Sequence, residues 1–368
     1  MRIARITVWQ KDLPLAEPYW LSGGRLKFEA LDSTFLRIDT DEGLSGWGEG
    51  CPWGNSYLPA HGRGIRAALE ILALALIGRD PREIDALNRL MDVTLPGHLY
   101  AKSPLDVALW DILGRSSGLP LSTLFGGAEG ESVPANSSIS TGSAEVMIAR
   151  VEWSRAAGYR THSLKVGGEA PGVEIARIEA LEAARQPDEL FTYDVNRAWT
   201  PGVAIEVMNA VTATGWFEQP CETLDQCAQV HNNSRQPLML DECLHSFQDH
   251  LAAWKAGACE GIKVKPNRVG GLTKARRVRD FGLSVGWQMH IEDVGGTVLA
   301  DTAALHLALS TPDENRLGSW LCQSHLVDDP APGEGARLID GAIRLPEAPG
   351  LGISLDENWL GDPLAVYA

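Results

Sequence analysis

Apolar and polar residues alternate along RIARITVWQ (2–10) and STFLRIDTDEGLSGWGEG (33–50). A period of two predicts strands buried on one face, with Asp-Glu-Gly at 41–43 as a hairpin turn. The period lengthens to that of an amphipathic helix over 62–92 and again over 101–115, where SPLDVALWDILGR carries its apolar residues at helical spacing. Strands followed by helices without alternation predict an α+β unit ending near residue 128. Beyond it the two periods take turns. VPANSSIS, YRTHSLKVG, LFTYDVN, WFEQP, PLMLDE, GIKVKP, WQMHIED and a segment near Gly318–Cys322 read as strands, with helical runs between them. That alternation predicts a (β/α)7-8 barrel. The tail from about 335, with ARLIDGAIRLP and several Gly and Pro, reads as an irregular return to the first unit. The expected organisation is α/β: an α+β capping domain over 1–128, a barrel over 129–334, and a C-terminal segment, 335–368, that completes the capping domain.

Candidate chemistry sits on the barrel pattern. Lys165, Asp194, Glu218, Asp241 and Lys265 follow one another at intervals of 29, 24, 23 and 24, each at or just past the end of an apolar run. Such a beat is about one strand, one helix and two loops, and parallel strands end on the same rim, so the five side chains are expected around one mouth. Three carboxylates between two amines repel one another unless a divalent cation shares them; hard oxygen donors suit Mg2+. A lysine abstracts a proton near neutral pH when its pKa falls, which burial and a nearby cation favour. A carboxylate held by the ion would stabilise the enediolate that forms when its α-proton leaves. A single acid at a strand end is more often a helix cap or an arginine partner, here of Arg197; the shared beat argues against that for all three.

Composition narrows the partners. The 368 residues carry a net charge of −16, which argues against nucleic acid or an anionic membrane surface. No long apolar run suggests a membrane span or a signal peptide. The six cysteines form no CxxC pair, as expected of reduced thiols in a cytoplasmic enzyme. No phosphate loop, dinucleotide fingerprint or HExxH is present.

KSPLDVALWDILGR followed by LPLSTLFGG, then DVNRAWT, EQP, LDE and KVKPNRVGGLT, resemble the enolase superfamily, muconate-lactonizing-enzyme subgroup, in order and spacing over nearly the whole chain. The resemblance implies Asp194, Glu218 and Asp241 as Mg2+ ligands and Lys165 and Lys265 as acid/base residues on opposite substrate faces. Asn196 and Glu242 would stand behind them, Glu242 as the partner of Lys265. The family often has Lys-x-Lys on the second barrel strand; Ser163 replaces the first of these here. His290, on the seventh strand without a sixth-strand Asp, is expected to be structural.

The loop GEGCPWGNSYLPAH (48–61) is similar to that of family members acting on proline derivatives. Tyr57 and Trp320 are expected to face a ring ammonium, Asp293 to pair with it, Trp20 and Trp53 to close the pocket, and Ser163 to line it. The expected activity is Mg2+-dependent dehydration of cis-3-hydroxy-L-proline to Δ1-pyrroline-2-carboxylate, by a protein expected to be a homo-oligomer. The alternative is 2-epimerisation of proline betaines, N-acyl amino acids or dipeptides. A more distant one is a non-catalytic metal-binding barrel.

Overall fold

The computed structural model describes residues 1–368. Three antiparallel strands open the chain: β1 (Ile3–Leu21), β2 (Leu26–Thr40) and β3 (Ser45–Gly50). The Asp-Glu-Gly turn forms, with the Gly43 N–H donating to the Thr40 carbonyl. The helical pattern over 62–92 resolves into two helices, α1 (Gly62–Leu76) and α2 (Ile84–Thr94). Gly78, at φ +77°, and Pro81 break it between them.

α3 (Leu99–Ser117) is not amphipathic in its setting; Tyr100 to Ile112 are all buried. Its close seat depends on β3. Gly46, Gly48 and Gly50 share one strand face, and a Cβ on them would lie 2.2 Å from the Ala108 carbonyl oxygen, 1.9 Å from that of Pro104 and 3.0 Å from that of Tyr100. Three bare positions two residues apart on the strand therefore match three positions four apart on the helix. The other face of β3 presents Glu49, whose buried carboxylate accepts from Thr297 N–H at 3.0 Å and Thr297 Oγ1 at 2.7 Å. That contact ties the capping sheet to the loop after the seventh barrel strand.

A short helix α4 (Leu121–Leu124) and strand β4 (Val133–Pro134) lead into the barrel. Its strands are β5 (Asn136–Ile139), β6 (Thr161–Lys165), β7 (Leu190–Asp194), β8 (Trp216–Glu218), β9 (Leu238–Leu240), β10 (Gly261–Val264), β11 (Gln288–Ile291) and β12 (Arg316–Gly318). They are hydrogen-bonded in that order. The helices between them are α5 (Ala144–Ala156), α6 (Pro171–Ala184), α7 (Pro201–Ala210), α8 (Leu224–Asn233), α9 (Phe247–Ala256), the pair α10 (Pro266–Val269) and α11 (Leu272–Val285), and α12 (Val298–Leu309). A bridge between Ala135 and Ser319 joins the last strand to the start of the first, so the ring nearly closes. The tail divides its attachments. β13 (Arg337–Ile339) pairs with β14 (Ala342–Arg344), and β14 with β4 rather than with the capping sheet; after α13 (Glu357–Leu360) only β15 (Ala365–Tyr367) pairs with β1. All six cysteines are free thiols, and no helix is long and apolar enough to cross a membrane.

His306 on α12 joins barrel, α4 and tail. Its Nδ1 accepts the Ser122 N–H at 3.2 Å, and its Nε2 lies 3.4 Å from the Leu351 carbonyl, so the neutral ring fits and a proton on Nδ1 would expel an N–H. Burial lowers its pKa to about 4, as it does those of His162 and His250. The unfolded chain binds these protons near pH 6.5 and the folded one does not, so stability is full above that pH and falls as pH drops toward 4. Each histidine contributes a slope of up to about 1.4 kcal/mol per pH unit. Denaturant midpoints measured from pH 7 to pH 5 should fall, and His306→Gln should flatten that fall; an unchanged slope would discount the assignment.

Candidate active site

Lys165 and Asp194 end β6 and β7, and Glu218 ends β8; Asp241 and Lys265 directly follow β9 and β10. All five line one cavity with Asn136, Ser138, Ser163, Asn196, Lys263 and Glu292, under Tyr19, Trp53, Tyr57 and Trp320. The lysines stand on the second and sixth strands of an eight-stranded ring and so face the cavity from opposite walls.

The acids reach adjacent strand ends, but no group of three carboxylate, histidine or cysteine side chains is set as a closed cation cage. Ammonium and guanidinium groups hold them instead. Lys165 pairs with Asp194. Asp241 takes Lys265 at 2.9 Å and the buried Arg268, whose Nη1 also donates to the Asp241 carbonyl at 2.7 Å. The arginine facing the acids is thus Arg268, not Arg197. With the amines drawn onto the acids, the free volume is only about 50 Å³.

Glu218 is the exception. Its buried Oε2 has no hydrogen-bond partner; the nearest cation, Lys263 Nζ, is 3.4 Å away and donates to Glu292 at 3.1 Å instead. Burial, then the Asp194 and Asp241 charges, push the Glu218 carboxyl well above its ordinary pKa. Burial acts the same way on Asp241, but Arg268 and Lys265 outweigh it and hold that carboxyl low. An orphaned buried oxygen between two further carboxylates is the donor set a hard divalent cation satisfies. Burial would lower the Lys165 pKa as the sequence suggests, but the Asp194 carboxylate outweighs it and raises it. Lys165 is therefore held as an ammonium by Asp194.

The DVNR segment supports the rim. Asn196 and Arg197 both take positive φ, +44° and +64°, a turn that lets Asn196 N–H donate to Asp194 Oδ1 at 3.0 Å. Glu242, expected beside Lys265, instead accepts from Tyr57 Oη at 2.7 Å and Asn196 Nδ2 at 3.1 Å. It ties the capping loop to the barrel. The carboxylate next to Lys265, apart from Asp241, is Glu292, 3.9 Å away.

Three further expectations shift. Asp293 is turned out of the cavity; it accepts from Asn267 N–H, Asn267 Nδ2 and Val294 N–H at 3.1, 2.9 and 2.8 Å. Burial raises its pKa to about 7, and its neighbour Glu292 lines the site. Trp20 is 39 % exposed beneath Lys27; its neighbour on β1, Tyr19, points inward and bonds Ser138 Oγ. Tyr57 already carries the Arg197 guanidinium 5.1 Å from its ring centroid, so the aromatic faces left for a ligand are those of Tyr19, Trp53 and Trp320. Their centroids lie 5.1 to 6.4 Å apart. Ser163 lines the cavity as expected. His290 is buried, with Nδ1 3.2 Å from the Gly318 carbonyl.

Lys263, Glu292, Tyr19 and Arg268 were not among the expected site residues. Lys263 and Lys265 are two apart, and so are His290 and Glu292, the strand period that puts each pair on the same face; that signal was available.

Residues 4–126 match the mandelate racemase/muconate lactonizing enzyme N-terminal domain, and residues 146–359 match the enolase C-terminal domain-like family. The chain is 40 % identical to a cis-3-hydroxy-L-proline dehydratase of Roseibium aggregatum, across all of both chains. It is 27 % identical to an N-succinyl-L-Arg/Lys racemase of Bacillus cereus, over 98 % of this chain and 97 % of that one. An enolase-superfamily protein of Roseovarius nubinhibens, solved in complex with magnesium, superposes with a TM-score of 0.96 at 63 % identity, covering 100 % of this chain and 99 % of that one. The chain therefore belongs to the enolase superfamily, with the paired domains of its mandelate racemase/muconate lactonizing enzyme branch.

Proposed function

We propose that the protein dehydrates cis-3-hydroxy-L-proline. The observation that carries the reading is the pair Lys165 and Lys265, set on opposite walls of one cavity. Full-length similarity to a dehydratase of that substrate supports it. In cis-3-hydroxy-L-proline the hydroxyl and carboxylate share a ring face, so the α-hydrogen lies opposite the hydroxyl. One lysine, as free amine, takes the α-proton. The other, as ammonium, gives its proton to the departing oxygen across the ring. The C2–H electron pair is held first in the enediolate of the substrate and then becomes the C2–C3 double bond as the C3–O bond breaks, and water leaves. The enamine then tautomerises to Δ1-pyrroline-2-carboxylate.

Asp194, Glu218 and Asp241 would hold Mg2+, which when bound would neutralise charge building on the substrate carboxylate and make the α-proton more acidic. Taking Asp194 and Asp241 from the two lysines would also free those amines for the substrate and open the cavity. The ring nitrogen would meet Tyr19, Trp53 and Trp320, whose π faces attract a cation.

A second reading, 2-epimerisation of a proline betaine, is favoured by the same aromatic trio and by Asp293 facing away, because a quaternary nitrogen needs π faces and no hydrogen-bond acceptor. The lysines serve both reactions; what differs is whether C3 carries a leaving group. Incubation with Mg2+ and a panel of hydroxyprolines and proline betaines, read by ultraviolet absorbance and NMR, separates them. We expect pyrroline product from the cis-3-hydroxy substrate. Epimer without pyrroline would move the assignment to the betaine reaction. Reaction with no compound in the panel would remove both.

A further inference from the structure

A second cavity, of about 340 Å³, lies behind the Arg268–Asp241 pair and under the capping loop that carries Pro59 and His61. It belongs neither to the catalytic cavity nor to the scheme above. Its polar lining is Arg268, Tyr100, His61, His98 and His245, and no carboxylate lines it. In a chain of net charge −16, a cavity lined by an arginine and three histidines with no carboxylate is out of keeping with the average surface.

Two of these groups lack partners. Arg268 is 1 % exposed and Tyr100 6 %, yet neither Arg268 Nε nor the Tyr100 hydroxyl has a hydrogen-bond partner. They lie near one another, the guanidinium acting on the hydroxyl, without making a bond of proper geometry. The guanidinium spends its other edge on Asp241. Buried donors are rarely left unmade, because each costs about 1–3 kcal/mol. The amino end of α3 opens into the same space: Leu99 and Tyr100 line it, and the N-cap His98, at φ +50°, makes no side-chain cap bond. Its first amides and helix dipole add positive potential there. Ile65 and Leu99 supply apolar wall.

We propose that this cavity binds a small aliphatic carboxylate. One carboxylate oxygen would accept from Arg268 Nε–H and the other from the Tyr100 hydroxyl, with the helix amides alongside and the short apolar tail against Ile65 and Leu99. The inference is independent of the reaction assigned to the catalytic cavity.

Butyrate titrated by calorimetry into the full-length protein without added metal is the test. The catalytic cavity also holds cations, so the variants must tell the two sites apart. Tyr100→Phe keeps the ring and removes the donor, and should weaken butyrate about tenfold or more, the loss of one charge-assisted hydrogen bond. His98→Ala should also weaken it. Lys165→Ala should leave the affinity as it was, and a crystal grown with butyrate should show it between Arg268 and Tyr100. No butyrate binding to the wild type, affinity unchanged by Tyr100→Phe, or binding lost in Lys165→Ala would each overturn the proposal.

Discussion

Replacing either lysine with alanine is expected to lower turnover of the cis-3-hydroxy substrate by about 10²–10⁴-fold, the usual contribution of a positioned acid or base. The two variants should fail differently. The lysine that takes the α-proton controls entry to the reaction; without it, the substrate in D2O should neither exchange its α-hydrogen nor form pyrroline. The opposite lysine would protonate the leaving oxygen. Without it the α-hydrogen should still exchange while water loss stalls, so exchange outpaces product. Strand position motivates the distinction: Lys165 and Lys265 stand four strands apart on the ring, so each would meet one ring face of the substrate. Each variant also leaves a buried carboxylate, Asp194 or Asp241, short of a cation, so thermal unfolding should accompany the kinetics to show that the fold survives. Wild-type turnover in either variant would end the two-lysine scheme. Equal loss of exchange in both would mean that the lysines act on the same step rather than on opposite faces.

The parts of the site legible in the sequence are those set by backbone topology. A parallel ring ends all its strands on one rim, so a beat in the chain becomes a circle in space. Lys165, Asp194, Glu218, Asp241 and Lys265 were readable on that ground alone, as were the strand order and the Asp-Glu-Gly turn. The errors have two physical kinds. Some are errors of parity. Trp20 for Tyr19 and Asp293 for Glu292 are each one residue off, and one residue on a strand reverses the face. Counting inward positions from His290 would have reached Glu292, and counting back from Lys265 would have found Lys263. The others are tertiary. Glu242 meets Tyr57 from the capping loop, 185 positions earlier in the chain, and Arg268 reaches Asp241 from the short α10 after the sixth strand. Neither pairing leaves a local trace. The break between α1 and α2 falls between, for Gly78 and Pro81 announce it, but an apolar period that resumes on the far side conceals it.

Glu218→Gln is expected to raise the stability of the metal-free protein while sharply weakening its affinity for Mg2+. Glu218 is 1 % exposed, its Oε2 has no hydrogen-bond partner, and its neighbours across the rim are the carboxylates Asp194 and Asp241. An ionised group there suffers both burial and repulsion, and no arginine relieves it as Arg268 relieves Asp241. The amide keeps the shape and removes the charge, and it can donate where the ionised carboxylate can only accept. The gain should be on the order of 1–3 kcal/mol, the range for a buried group left unsatisfied, read as a higher unfolding midpoint in the presence of a chelator. Adding Mg2+ should then raise the midpoint of the wild type well above that of the variant, because an ion that binds the folded state alone stabilises by an amount that grows with the logarithm of its affinity. The two curves would cross. The same substitution at Asp241 should not stabilise, because it would strand Arg268 and Lys265 without their shared counter-ion, and the breaking of a buried pair costs about 3–5 kcal/mol. A metal-free Glu218→Gln protein less stable than the wild type would mean that Lys263, 3.4 Å away, already compensates the acid, and the case for a cation at this rim would lose its strongest support.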